Sequence, residues 1–152
     1  MSNTVGNLTT LATWLAGLSF TGVKAVDLSH IPDAINPQDC PLLVPAGRYA
    51  TNVAFTRLTL RDSVGGRQVM LTYTVHYRLY AGAVQEGVSY TERLAGALDA
   101  WGAVINTVIA NETPSGAYDI RPAGDVNFGI LNDPAGTPYW GCEVAFDVQE
   151  FG

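Results

Sequence analysis

The chain of 152 residues is long enough for one well-formed hydrophobic core and short for two, so we expect a single domain over residues 1–152. Its net charge is −6, and its one lysine and seven arginines are spread along the sequence, which argues against general nucleic-acid binding. No apolar run is long enough for a membrane span, and the N-terminus lacks a signal-peptide pattern, so we expect no membrane contact and synthesis in the cytoplasm.

The chain has fewer charged residues than is usual for a soluble domain. Only 14% of the residues are charged, against roughly 25% in an ordinary soluble domain. A monomer with so few charges leaves much apolar surface in water. We therefore expect part of the surface to be covered by other subunits.

The N-terminal part combines one helical pattern with a proline-rich stretch. Apolar residues at helical spacing predict a helix over residues 4–18, and residues 23–26 suit a brief extended piece. Four prolines between residues 29 and 45 exclude a long regular element there, apart from a short edge strand over residues 40–45. Asp27, Asp33 and Asp39 fall six residues apart, wider than a calcium loop allows, so we interpret them as turn or helix caps rather than metal ligands.

Two strands and a turn follow. Residues 53–60 alternate imperfectly, whereas every second residue from Val69 to Leu79 is apolar, which is typical of a half-buried strand. Residues 62–66, Asp-Ser-Val-Gly-Gly, supply turn chemistry between them. The sequence therefore predicts an antiparallel β-hairpin.

A long amphipathic helix is predicted after the hairpin. Ser89 and Glu92 have the spacing of a capping box, which predicts a helix start near residue 89 and an end near residue 111. Its predicted buried stripe consists of Leu94, Ala97, Leu98, Trp101, Val104, Ile105, Val108 and Ile109.

The pattern of the C-terminal part predicts β-strands. Short strand-like pieces occupy residues 117–121 and 126–131, a turn signal follows at 132–136, and residues 139–151 alternate clearly. This order of elements predicts an α+β fold, with an antiparallel or mixed β-sheet and two main α-helices packed on one face.

No pattern for a catalytic, cofactor or metal site stands out. Phosphate-binding, zinc-protease and nucleophile-elbow motifs are missing from the sequence, and His30 and His76 stand apart from any nucleophile. Asp119 and Asp125 are at most a chance carboxylate pair. We expect no enzyme, no cofactor and no metal. Cys40 and Cys142 are expected to be ordinary buried thiols rather than a disulfide or metal pair, although the sequence leaves open whether they meet.

The layout resembles a known family. An amphipathic N-terminal helix, an aspartate- and proline-containing stretch (residues 27–32, then 39–45), a β-hairpin, one long helix and a C-terminal strand ending in Val148-Gln149-Glu150-Phe151 follow one another. This order is similar to that of the tail terminator, or tail completion, proteins of long-tailed bacteriophages. The similarity spans nearly the whole chain, as a layout without a diagnostic motif.

The resemblance implies a structural virion protein at the head-proximal end of the phage tail. Such a protein forms a ring, typically a hexamer, that ends polymerisation of the tail tube protein and joins the tail to the head-tail connector protein. DNA would pass through the lumen without specific binding, which suits an acidic chain. The alternatives are a head-completion or connector adaptor, another minor virion protein and, from another class, a small-molecule binding or hydrolytic domain.

Arginines around the predicted hairpin give a weakly basic patch on an acidic chain, which suits either a solvated tip or contact with an acidic neighbouring subunit. The residues that we expect at a subunit interface are Arg57, Arg61, Arg67, His76, Arg78 and Tyr139.

Overall fold

A computed structural model of the protein describes residues 8–18, 20, 22–57, 69–84, 90–110, 118–123 and 126–151. In chain order they form helix α1 (Leu8–Ala16), strand β1 (Lys24–Ala25), a 3-10 turn (Pro37–Asp39), β2 (Leu42–Arg57), β3 (Val69–Ala83), helix α2 (Tyr90–Ala110), β4 (Tyr118–Ala123), β5 (Phe128–Asn132) and β6 (Pro138–Phe151).

All six strands belong to one sheet, in the order β1, β2, β3, β6, β4. The short strand β5 pairs with the first part of β6, on the same side as β4, which pairs with the last part. Only the pairing of β1 with β2 is parallel, and the others are antiparallel. β6 therefore lies at the centre of the C-terminal half, where it pairs with three strands.

Several predicted elements are confirmed. β3 begins at Val69 as expected, α2 covers 90–110 of the predicted 89–111, and β6 covers the predicted C-terminal strand. β2 and β3 are antiparallel, as the predicted hairpin requires, while the predicted turn at residues 62–66 lies outside the described residues. Strong periodicity located these elements because each buries one continuous face.

The predicted fold class is wrong. The chain is mostly β, with half of the described residues in strands, and its sheet curls into a half-barrel to which two short helices add side chains without forming a layer of two main helices. The physical reason is the length of the strands, because β2, β3 and β6 have 16, 15 and 14 residues. β2 is also bulged between Pro45 and Ala50 and between Thr51 and Ala54, and bulges bend and twist a strand.

The main core lies on one face of the sheet. Alternate residues of β3 and β6 meet there in register, for example Tyr77 opposite Val144, and helices α1 and α2 add further apolar side chains. The buried stripe of α2 is narrower than predicted, because Leu98 and Ile109 are about half exposed. The most deeply buried members include Leu11, Leu15, Leu43, Val75, Tyr77, Leu79, Val104, Val108, Ile120, Val144 and Phe146.

A second, smaller core lies on the opposite face of the sheet. Leu42 pairs with Tyr80, next to the pair of Leu43 and Leu79, and neighbouring strand residues point to opposite faces. Leu42 and Tyr80 are buried with Val44, Tyr139 and Ile35. Ile35 belongs to the proline-rich stretch, so this irregular segment covers apolar strand residues that two helices on a single face would have left in water.

The two cysteines lie in different places. Cys142 is fully buried in the main core, as expected, whereas the expectation of a buried thiol is wrong for Cys40, which is partly exposed and packs against the second core. The two cysteines are not joined by a disulfide. Neither helix in the described part of the chain has the length and hydropathy of a membrane-spanning helix.

Candidate functional site

The residues that we expected at a subunit interface are distributed unevenly. Arg57 is the last residue of β2, and Arg61 and Arg67 lie outside the described residues. His76 and Arg78 are both partly exposed, on the face of β3 that points away from the main core. The second core lies on this same face, and we call the part of the face outside that core the polar face.

His76 and Arg78 make their contacts within the subunit. The Nε2 atom of His76 lies 2.6 Å from the hydroxyl oxygen of Thr51 on β2. Arg78 donates from Nη1 to the carbonyl of Asn132 at 3.3 Å, and its Nε atom lies 3.6 Å from a carboxylate oxygen of Glu143. The side chain of Arg78 is 38% exposed and that of Glu143 is 66% exposed, so this ion pair contributes little stability.

Tyr139 lies inside the subunit. It is 1% exposed, its ring packs edge-to-face on Tyr80 with centroids 5.7 Å apart, and its hydroxyl donates to the carbonyl of Ile35. Burial raises the pKa of this hydroxyl, which stays protonated as a donor. Tyr139 therefore has almost no surface to offer to a neighbouring subunit.

A shallow groove crosses the polar face between β4 and β6. It has a volume of about 290 Å³ and is lined by Asp119, Arg121, Pro122, Asp147 and Gln149. Arg121 Nη2 lies 3.2 Å from Asp119 Oδ2, and Asp147 Oδ1 accepts the hydroxyl of Thr74 at 2.9 Å. These polar groups satisfy one another, so the groove reads as an ordinary solvated sheet surface. Asp125, the other half of the possible carboxylate pair, lies outside the described residues.

A larger cleft of about 670 Å³ lies between the end of α1 and the start of the proline-rich stretch. Its walls are mostly apolar, and its polar lining residues include Lys24, His30 and Asp39. Lys24 Nζ lies 3.2 Å from Asp39 Oδ1, and His30 Nδ1 lies 2.6 Å from Asp27 Oδ1. The hydrogen bond with His30 lowers the pKa of Asp27. Asp27 Oδ1 also accepts the backbone N–H of Ser29 at 3.0 Å, as the capping interpretation expects, whereas Asp39 contacts Lys24, 15 residues away, and Asn36 caps the 3-10 turn. Among the described residues, no three metal-ligating side chains come together.

The outer edges of the sheet were not identified from the sequence. Of the described strands, only β1 pairs with the outer edge of β2, and it does so at Leu42 and Leu43. The distal part of β2 carries Val53 and Phe55, which are 61% and 65% exposed. Strands with an open, apolar edge pair readily with another chain. The opposite edge of the sheet is formed by β4 and β5.

The two outer edges lie at the same height along the sheet. Four of the six residues of β4 can be followed through β6 and β3 to a residue of β2 by the pairing registers, whereas Ile120 and Ala123 lead to β3 residues that face the bulges of β2. The two chains of pairs are Tyr118, Glu150, Leu71 and Phe55 at one end, and Pro122, Phe146, Val75 and Ala50 at the other. β4 is therefore level with the open, apolar part of β2, and it runs antiparallel to β2.

Neither a scan of protein-family models nor a search of curated proteins finds a match for this chain. Function therefore has to be inferred from the geometry of the subunit and from the sequence.

Proposed function

We propose that this protein is a structural virion subunit that forms a ring at the head-proximal end of a phage tail, ends polymerisation of the tail tube and joins the tail to the head connector. The proposed role at the tail end is inferred from the resemblance of the sequence to tail terminator proteins. Three features of the chain support assembly: the low charge content, the exposed apolar residues, and a sheet with two outer edges.

The observation that carries the proposal is the equal height of the two outer edges. When unlike surfaces of identical subunits join, the assembly closes into a ring only if the joining operation adds no net translation. In a ring whose strands run parallel to its axis, joining two edges at the same height requires no shift along that axis. A difference in height would instead add a rise at every joint and produce a spiral.

The net charge of −6 fits a lumen through which DNA moves. A negatively charged wall repels the phosphate backbone and prevents sticking. The partners under this proposal are copies of the same chain, the tail tube protein and the head-tail connector protein.

The direct test is the mass of the purified protein over a wide concentration range, by light scattering coupled to size exclusion, with negative-stain images. The proposal expects closed rings whose mass is a small multiple of 16.2 kDa. Added to polymerising tail tube protein of the same virus, these rings should stop elongation and yield capped tubes. A monomer at every concentration, both free and in isolated tails, would overturn the proposal. Twelve copies on the capsid side would favour a head-completion adaptor.

A further inference from the structure

We infer that neighbouring subunits join by antiparallel pairing of β4 of one copy with the distal outer edge of β2 of the next, so that Val53 and Phe55 become buried. The inference rests on the proposed ring and names the surfaces that build it. The occupant of the β2 edge is thus a second copy of this chain.

The direction of the strands supports this joint. Neighbouring strands alternate in direction from β2 through β3 and β6 to β4. A copy placed beside β4 in the same orientation presents β2, which runs opposite to β4. The alternation would therefore continue from one subunit to the next, and a continuous antiparallel sheet would run around the ring.

The exposure of Val53 and Phe55 also supports the pairing of β4 with β2 of the next copy. Val53 and Phe55 are among the most exposed large apolar residues in the described part of the chain, and both lie on the stretch of β2 whose outer edge pairs with no described strand. A strand laid along that edge would pair with its backbone groups and bring the side chains of the next sheet against Val53 and Phe55. Residues 52–56 carry no charged side chain that would blunt this edge, and the bulge between Thr51 and Ala54 is the one edge-blunting feature in this described stretch.

The sequence of β4 limits the length of the joint. Pro122 has no backbone N–H, so it cannot donate across the interface. The pairing is therefore confined to residues 118–121 of β4 and residues 51–55 of β2, where the bulge between Thr51 and Ala54 sets five residues of β2 against four of β4. In this register Asp119 faces Ala54 of the next copy, because the two stand at the same height.

Disulfide trapping tests this register. Within one subunit, Ala54 and Asp119 are separated by three strand spacings, about 14 Å across the sheet, which is beyond the reach of a disulfide. The double variant A54C/D119C should give a ladder of covalent oligomers on a non-reducing gel after mild oxidation. The wild type, which carries Cys40 and Cys142, should give none.

A mismatched pair provides the control. Ile130 of β5 also lies at the outer edge and is 55% exposed, but it pairs with Trp140, nine residues along β6 from the partner of Asp119. This offset is about 30 Å along the strand. The variant A54C/I130C should therefore give no ladder, and a ladder as strong as that of A54C/D119C would overturn the inference.

Mixing the single variants shows which edges meet. A54C and D119C should each stay uncrosslinked alone and should give a covalent dimer only when mixed. Dimers of A54C alone would show that two β2 edges pair with each other, and would overturn the inference. If light scattering shows rings but the matched pair fails to crosslink, the joint is wrong and the ring stands. If no oligomer forms at all, the proposed function fails as well.

Discussion

Asp133 holds Ile35 in place, although the two residues are 98 positions apart in the sequence. The Oδ2 atom of Asp133 accepts the backbone N–H of Ile35 at 2.9 Å, and its Oδ1 atom accepts the N–H of Thr137 at 2.7 Å. The carbonyl of Ile35 accepts the hydroxyl of Tyr139. Both backbone groups of Ile35 are thereby satisfied, which allows the proline-rich segment to bury this residue against the sheet.

This contact predicts a pH effect on stability. The N–H of Ile35, helped by that of Thr137, lowers the pKa of Asp133 below its ordinary 3.8 in the folded protein. A lowered folded-state pKa stabilises the fold above the unfolded-state pKa, and this stabilisation is lost as the pH falls through the folded-state value. The Tm of the wild type should therefore fall more steeply below about pH 4 than that of Asp133→Asn, which cannot titrate.

Calorimetry of both proteins between neutral pH and about pH 3 measures this difference in slope. Asp27, whose pKa is also lowered, titrates in both proteins and cancels in the comparison. At neutral pH we expect Asp133→Ala to lower the Tm by several degrees, on the order of 5 °C, because the N–H of Ile35 loses its acceptor. Parallel pH curves for the wild type and Asp133→Asn would contradict the role of the carboxylate.

The sequence predicted the elements with one strong period and missed those fixed by distant contacts. β3, α2 and β6 were located because each repeats apolar residues along one face. β2 was predicted as two separate pieces, because its bulges near Gly47 and Asn52 break the alternation. At Asn52 the backbone has φ of +55°, in the left-handed region, and the local apolar pattern does not predict this conformation.

The second core and the curl of the sheet could not be predicted from the sequence either, because they too depend on contacts between residues far apart in the chain. Tyr80 lies on the face opposite to Leu79 and is just as well buried, which requires the proline-rich segment to cover it. That coverage depends on Asp133, far along the chain. Of the predicted interface residues, His76 and Arg78 could be assigned to the polar face from alternation alone, whereas the burial of Tyr139 could not.

Gly141 occupies a tight backbone position between β6 and β3. A Cβ atom there would lie 1.9 Å from the carbonyl oxygen of Leu79, which is backbone and cannot move aside alone. Gly141→Ala should therefore force β6 and β3 apart and lower the free energy of unfolding by about 3 kcal/mol. Chemical denaturation measures the loss.

Gly129 offers a matched control for this substitution, because it faces Gly141 directly across the β5–β6 pairing. A Cβ atom at Gly129 would have no neighbour within 4 Å. Gly129→Ala should leave the free energy of unfolding within about 0.5 kcal/mol of the wild type. Similar losses for both variants would refute the explanation by close contact.

Tyr49 and Tyr77 share a buried hydrogen bond in the main core. Their hydroxyl oxygens lie 2.6 Å apart, and burial raises the pKa of Tyr49 to about 12 and raises that of Tyr77 as well. Tyr49→Phe leaves the Tyr77 hydroxyl buried without this partner and should cost about 1–2 kcal/mol of unfolding free energy.

A double-mutant cycle tests this bond. Tyr77→Phe alone should cost a similar amount, whereas the double variant should cost less than the sum, because neither hydroxyl is then left alone. The rings of Tyr49 and Tyr77, with centroids 5.3 Å apart, keep their edge-to-face contact in every variant. Strictly additive losses would mean that the two hydroxyls do not interact.

The two cysteines should differ sharply in reactivity. Cys142 is fully buried, and burial raises the pKa of its thiol to about 12, so the reactive thiolate is scarce at mildly alkaline pH. Cys40 is partly exposed. A chromogenic disulfide reagent should therefore modify one thiol per native chain rapidly and the second only after unfolding. Cys40→Ser should abolish the rapid phase, and a rapid phase that survives this substitution would contradict the assignment.

Phe55 should stabilise the assembly far more than the subunit. In the isolated subunit its side chain is 65% exposed, so Phe55→Ser removes little buried surface from the fold. If the next copy covers Phe55, the substitution removes about 1.5–3 kcal/mol per joint, which weakens each association step by roughly tenfold to a hundredfold. Ile130→Ser, at 55% exposure on β5, is the control with a comparable loss of apolar surface outside the joint. Sedimentation velocity should show dissociation at higher concentrations for Phe55→Ser alone, with both variants keeping the wild-type Tm as dissociated subunits. Equal association of the two variants would exclude Phe55 from the interface.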